Sequence, residues 1–568
     1  MATARDLKEA GETSIVDKQT GQVYELDLET LSPNGSSKTS PIEGHKLKKG
    51  LKSRHIQLIA LGGCIGTGLF VGTSSTLSKC GPAGLFTSYL IISLIIYPVM
   101  NALGEMVCYL PGGEDGSGGS ISKLVRRYVD PSLGFATGWN YYYCYVILVA
   151  AECTAASGVV QYWTDKVPTG AWITIFLGVV VLLNFGAVKF YGESEFWFAS
   201  IKILCILGLL LVSFIIFWGG APTHDRLGFR YWKHPGAFAY HITTGNTGRF
   251  LDIWTGVIKG GFAFILGPEL VALTSAEAQD SRRNIEKASR RFVYRLIFFY
   301  VASSLAIGCI VAYNDPTLEN ALAQGKPGAG SSPFVIGIQN AGIKVLPHIV
   351  NACILTSAWS SGNSFMFASS RSLLSMAQEG YAPKIFGKIN RHGVPYNAVA
   401  LSAAISCLAY LNVSSSSALV FTWFSNISTI SGFIGWICIG VAYLRFRKAI
   451  FFQGLYDRVP FKTPFQPYGT YFFVTIISVI CLTNGYATFI PKYWNAADFV
   501  AAYITLPIFI VLWLGHKAYT RTWKCWAIPV AEIDVTTGLR EIEEETKELD
   551  AARVQPNTLW GKFIEWLL

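Results

Sequence analysis

Gly62-Gly63-Cys64-Ile65-Gly66-Thr67-Gly68 falls in the middle of an apolar stretch, residues 54–78, long enough to cross a lipid bilayer. A second such stretch, 253–275, carries Gly260-Gly261 and, a few residues on, Gly267-Pro268. Glycine and proline at that depth release backbone amides and carbonyls from helical bonding. Such groups are tolerated only where they face protein or a water-lined cavity. Glycine alone can serve close helix packing instead. Two interruptions at corresponding places, five spans apart, point to an inverted-repeat transporter with its site between the breaks.

The rest of the chain agrees with a membrane setting. Of its 568 residues, 51% are hydrophobic and 14% charged, where a soluble domain carries about 25% charge. That balance excludes a disordered chain and argues against a string of soluble domains. Twelve apolar stretches are found: 54–78, 83–110, 135–160, 171–188, 196–218, 253–275, 292–313, 349–376, 396–412, 418–444, 470–490 and 498–516. None alternates as barrel strands do. The expected fold is therefore an all-α polytopic membrane protein. With the N-terminus inside, the inner segments hold 27 Lys and Arg and the outer ones 9, which places both termini in the cytoplasm. The formal charge of +10 is thus a topology signal, and no nucleic-acid partner is expected.

The two breaks offer opposite chemistry. Around Ile65, Gly66, Thr67 and Gly68 the second half of span one begins with unpaired N–H groups and a positive dipole end, suited to a carboxylate. The first half of span six ends near Phe262–Leu266 with unpaired carbonyls, suited to a protonated amine. An amino acid zwitterion matches the pair.

Ionisable groups inside spans are costly and are functional candidates by default. Glu105 lies near the cytoplasmic end of span two and reads as a structural salt bridge or cap. Glu152 has no charge near it in sequence and reads as a site or gate residue. Lys202 is the only charge in Phe196–Trp218, at a depth where its ammonium can replace a bound cation. Lys259 precedes the span-six break by one turn, where it can line the path or pair with Glu152. Glu269, just after Gly267-Pro268, can cap the broken backbone or carry a proton. Phe262 falls on the break itself, where its ring can close over substrate.

Other signals are weak. The 12 cysteines are scattered singly and read as small hydrophobes, not a disulfide framework. The 8 histidines show no metal spacing, so no metal or other cofactor is expected. No clustered catalytic constellation exists, so the chain does not read as an enzyme. Asn412-Val413-Ser414 forms a sequon in a short outer loop. Glu532–Arg553 reads as an amphipathic acidic helix, either solvated or docked on the inner loops. Residues 1–50 read as a disordered cytoplasmic tail, whose lysines can receive ubiquitin.

The segments GGCIGTGLFVG (62–72), Gly104-Glu105-Met106, GFATGWN (134–140), Thr274-Ser275-Ala276-Glu277 and SNISTIS (425–431) resemble signatures of the fungal amino acid permeases, within the amino acid–polyamine–organocation superfamily. The likeness runs from about Lys46 to Arg553. In Phe135–Ser157, IKGGFAFILGPEL (258–270) and AWSSGNS (358–364) it is closest to the proline-specific permeases. The resemblance implies a leucine-transporter-type fold of ten core helices plus two. Residues 51–218 would form the first repeat, 219–444 the second, 445–516 the two added helices and 517–568 a cytoplasmic tail. It further implies import of L-proline through the plasma membrane, driven by the proton gradient. By position, Gly66, Thr67 and Gly68 would bind the carboxylate, and Lys259 and Phe262 would govern specificity and gating. Trp359 and Thr422 would line the cavity. Glu152 would be the span-three acid, and Lys202 would occupy the place of a sodium ion. A carrier of broader range, for small neutral amino acids or gamma-aminobutyrate, and a receptor that binds without transporting remain open alternatives.

Overall fold

The computed structural model describes residues 14–16, 23–25, 62, 65–111, 120–164, 166–186, 188–265, 267–275, 278, 280–323, 332–390, 392–413 and 417–551. The chain divides into two units, Met1–Glu43 and Gly44–Leu568. Within the first, the segment read as a disordered tail holds an antiparallel ribbon of β1 (Ser14–Val16) and β2 (Val23–Glu25), with Ile15 opposite Tyr24.

The second unit is helical. Its helices are α1 (Thr67–Phe70), α2 (Gly72–Tyr109), α3 (Ile121–Tyr128), α4 (Pro131–Val160), α5 (Thr169–Phe185), α6 (Val188–Phe217), α7 (Gly245–Phe264), α8 (Gly267–Thr274) and α9 (Ser281–Ile310). There follow α10 (Pro316–Ala323), α11 (Pro333–Asn340), α12 (Leu346–Gln378), α13 (Tyr396–Ser406), α14 (Ser417–Phe452), α15 (Tyr468–Thr483), α16 (Ala496–Tyr503), α17 (Thr505–Thr520) and α18 (Leu539–Ala551). Among the described residues, eight helical stretches are long and apolar enough to cross a membrane, and the bent pair α16–α17 makes a ninth. Against the twelve expected spans, Thr67–Tyr109 contains the second half of span one together with span two, and residues 54–61, 63 and 64 of span one lie outside the described residues. In addition, α5 is shorter, at 17 residues, and α12 is rich in buried serine rather than leucine. The protein is a polytopic helical membrane protein of the leucine-transporter type, with spans one and six broken.

Two interruptions of the helical backbone have a local cause. Gly81 separates spans one and two with φ +74°, a left-handed backbone that favours glycine. A Cβ there would lie 2.7 Å from the Ala237 carbonyl oxygen. Span six stops at Phe264, where Ile265 turns extended (ψ 153°) and α8 restarts at Gly267-Pro268.

Packing sorts the spans into two groups. The almost wholly buried α4 packs most heavily on α12 and α14, while α2 packs on α7 and α9. Two signature segments meet in the first group: Asn140 Nδ2 donates to the Ser431 carbonyl (2.9 Å) and Ser431 Oγ donates to Asn140 Oδ1 (2.8 Å). Exposed Leu94, Leu182, Leu204, Leu211, Phe214 and Val511 present apolar surface to lipid.

The C-terminal segment is docked. Asp130 caps α4 by accepting from Leu133 N (3.0 Å), and it also takes an ion pair from buried Lys517 (3.1 Å). Ile528 N donates to the Val129 carbonyl (2.9 Å), and Arg445 bridges the Tyr128 and Ile528 carbonyls. Arg127 holds the Asp534 and Thr537 carbonyls at 2.7 and 2.8 Å and pairs with the Asp534 carboxylate at 3.0 Å. Burial works against that carboxylate's charge. The amides of Thr537 and Thr536 and the Arg127 guanidinium prevail and hold its pKa below the ordinary aspartate value.

Candidate functional site

The break in span one is held from three sides. Gly66, in extended backbone (φ −116°, ψ −156°), precedes α1. The Ile65 carbonyl accepts from Ser357 Oγ of α12 (2.9 Å). The Gly62 carbonyl accepts from Lys202 Nζ of α6 and from Ser361 Oγ (3.4 Å). Lys202 also donates to Ser361 Oγ (3.1 Å) and is 1% exposed. Glu152, from α4, accepts from Thr67 Oγ1 at 3.0 Å. Gly66 has to be glycine for space: a Cβ would sit 2.8 Å from Glu152 Oε1 and 2.9 Å from Ser361 Oγ. The structure therefore brings Ile65, Gly66, Thr67, Glu152 and Lys202 into one cluster.

Gly68 faces the other break. Its Cβ would meet the Ala263 backbone at 2.9 Å and the Phe262 ring at 3.3 Å. Phe262 packs edge-on against Phe421 (5.5 Å between centroids). One freed carbonyl of span six is already used, since Ala263 O accepts from Tyr300 Oη (2.8 Å). Trp359 is half-buried against Phe198, its indole N–H without a hydrogen-bond partner among the described residues. Thr422 is half-buried on α14.

The remaining acidic and basic candidates lie apart. Among the described residues no ion pair joins Lys259 to Glu152, so the pairing considered from sequence is not formed. Lys259 instead feels the charges of Lys79 and Asp498. Glu269 is buried in an aromatic nest, its Oε1 accepting from Trp436 Nε1 (2.7 Å) and Tyr141 Oη (3.1 Å) while Oε2 has no hydrogen-bond partner among the described residues. A narrow cleft lined by Ser120, Ser122, Tyr145 and Ser372 reaches Tyr141. Glu105 has the structural setting expected of it: Tyr443 Oη (2.6 Å) and Thr463 N (2.7 Å) donate to its carboxylate, with Arg447 at 4.0 Å.

One buried carboxylate was missed from sequence. Glu195 is 0% exposed and accepts from Asn363 Nδ2 (2.8 Å) and Ser360 Oγ (2.9 Å). The signal for it is its spacing of seven from Lys202, two helical turns on one face. Asn412 proves structural, being 5% exposed, with its amide donating to Ser157 Oγ (3.1 Å).

Among solved structures, the chain is similar to a manganese transporter from Eremococcus coleocola, with a TM-score of 0.50 at 14% identity over 86% of this chain and 95% of that one. That likeness concerns the fold alone. In sequence, the chain is 72% identical over 546 residues to a proline-specific permease of Saccharomyces cerevisiae, covering 96% of this chain and 86% of that protein. It is 54% identical over 503 residues to a proline-specific permease of Emericella nidulans, covering 88% and 90%. The family described as amino acid permease matches residues 55–528, and the chain belongs to that family.

Proposed function

We propose that this protein is a proton-coupled symporter that imports L-proline across the plasma membrane by alternating access. The observation that carries the reading is Lys202, an ammonium 1% exposed and bonded to the backbone of the first break, with the Glu152 carboxylate beside it on Thr67. A buried ammonium that ties a broken span to its neighbours does what a bound cation does in an ion-driven carrier. Unlike a metal ion, it can lose its charge with a proton.

In this reading Ile65, Gly66, Thr67 and Gly68 receive the substrate carboxylate, and the span-six carbonyls receive its amine. With Ala263 O occupied by Tyr300, few acceptors remain, which suits a secondary amine with one fewer N–H than alanine. Phe262 closes over the substrate, Lys259 guards the outer approach, and Trp359 and Thr422 form the wall. Glu152, Lys202 and Glu269 carry the proton coupling. A bundle rocks against a scaffold around the broken helices of this site. Both termini lie in the cytoplasm, where lysines of the first 50 residues are open to the ubiquitin machinery. The high identity to two proline-specific permeases supports the substrate. Labelled proline uptake, its competition by a panel of amino acids and its collapse with a protonophore test the reading. Equal competition by many amino acids would overturn proline preference, and accumulation indifferent to the protonophore would overturn proton drive.

A further inference from the structure

Glu195, Ala199 and Lys202 occupy positions i, i+4 and i+7 of α6 and so share one face. The opposite face, with Trp197, Leu204 and Leu211, is exposed to lipid. Glu195 stands only seven residues into a helix that starts at Val188, about 10 Å from its end. A carboxylate so placed can reach water, yet this one is turned inward and fully buried. Its neighbours on α12 (Ser360, Asn363 and Ser364) are neutral, Asn363 is in turn held by Asn184 of α5 (2.8 Å), and among the described residues the charge acting on it is that of Lys202. Acid and base close on the same residue. Lys202 Nζ donates to the Gly62 carbonyl, and a Cβ on Gly62 would stand 3.0 Å from Ala199 Cβ and 3.8 Å from Glu195 Oε2. A purely structural acceptor for two neutral donors needs no charge, and a buried charge costs several kcal/mol in desolvation.

We propose that Glu195 is the acceptor to which Lys202 passes its proton when Gly62 leaves α6. This rests on the reading of Lys202 as the coupling residue. While Gly62 is seated, its carbonyl and Ser361 hold the ammonium. Once Gly62 withdraws, the ammonium loses that acceptor and its proton moves to the carboxylate, leaving a neutral amine and a carboxylic acid. The acid then gives the proton to water at the nearby α6 terminus, the cytoplasmic end by the charge bias, and returns to carboxylate.

The test uses the full chain in proteoliposomes with an internal pH dye, measuring proline–proline exchange, which needs no net proton movement, beside proton-driven accumulation. Glu195→Gln is expected to keep exchange within twofold while accumulation and proline-coupled proton entry fall at least tenfold. Glu195→Asp is expected to restore coupling with a shifted pH profile. Wild-type coupling in Glu195→Gln, or equal loss of exchange and accumulation, would overturn the proposal, as would an Asp variant with an unmoved pH profile. Lys202→Met separates the two readings. If it stays proton-coupled, the Lys202 assignment fails and the transfer step with it. If it is uncoupled while Glu195→Gln is fully coupled, only the role of Glu195 fails.

Discussion

Replacing Gly66 by alanine probes the site with a single methyl group. The backbone at Gly66 is extended, so alanine adopts it without strain and the whole cost is steric. Ordinary contact begins near 3.4 Å, yet the new Cβ would stand 2.8 Å from Glu152 Oε1 and 2.9 Å from Ser361 Oγ. The Ser361 hydroxyl is short and is engaged by Lys202 at 3.1 Å. The Glu152 carboxylate ends a flexible chain and will swing, giving up its 3.0 Å bond from Thr67. Overpacking costs about 1–3 kcal/mol and a lost hydrogen bond to a charged group about 1.5–3. Because the terms share one site they do not add. A net of about 2–3 kcal/mol corresponds to roughly 30- to 150-fold in apparent affinity or coupled rate. Labelled proline uptake across a concentration series, in cells lacking their own carrier and at matched surface level, measures it. Gly178→Ala and Gly208→Ala, where a Cβ meets nothing within 4 Å, serve as controls and should transport normally. Uptake by Gly66→Ala within twofold of wild type would refute the reasoning, as would an equal loss in the controls.

Glu269→Gln keeps an oxygen for Trp436 and Tyr141 and should melt in detergent within a few degrees of wild type, whereas Glu269→Ala strands both donors and should lose about 2–5 kcal/mol. Removing the sequon by Ser414→Ala should leave gel mobility and uptake unchanged, because the Asn412 amide is buried on Ser157. Asn412→Ala should lower stability by about 1–3 kcal/mol, read by thermal melting. Arg127→Ala removes three contacts to the C-terminal segment, and limited proteolysis beyond residue 530 should quicken several-fold. Since the Asp534 pKa is depressed, its contribution is intact above the ordinary aspartate value and is lost as pH falls through the lowered one. Proteolysis should therefore also quicken on strong acidification.

The breaks were legible because glycine and proline announce them, and the outline of twelve spans because apolar runs of that length have one use. Lys202 and Glu152 were legible as charges in runs that otherwise exclude charge. Their convergence was not: Thr67 meets Glu152 across 85 positions of chain, and no local pattern encodes that. Glu195 escaped notice because it sits beside Lys189 and Glu193, in a stretch that reads as an inner loop. Only the start of α6 at Val188 carries it into the membrane. Sequence likewise left open whether Glu532–Arg553 is solvated. Ile533, Val535 and Leu539 are buried, so the segment docks up to the first residue of α18, while most of α18 beyond it is exposed; residues 552 and 553 lie outside the described residues.

The broken spans are secured through main-chain carbonyls, those of Gly62, Ile65 and Ala263, reached by Lys202, Ser357 and Tyr300. A carbonyl survives every side-chain substitution at its own residue. A mutational scan of spans one and six will therefore report steric trespass at their glycines and remain blind to the bonds that fix them. Those bonds are exposed to mutagenesis only from the partner helices, so weak phenotypes within the broken segments and strong ones at Lys202, Ser357 and Tyr300 would describe the same set of contacts.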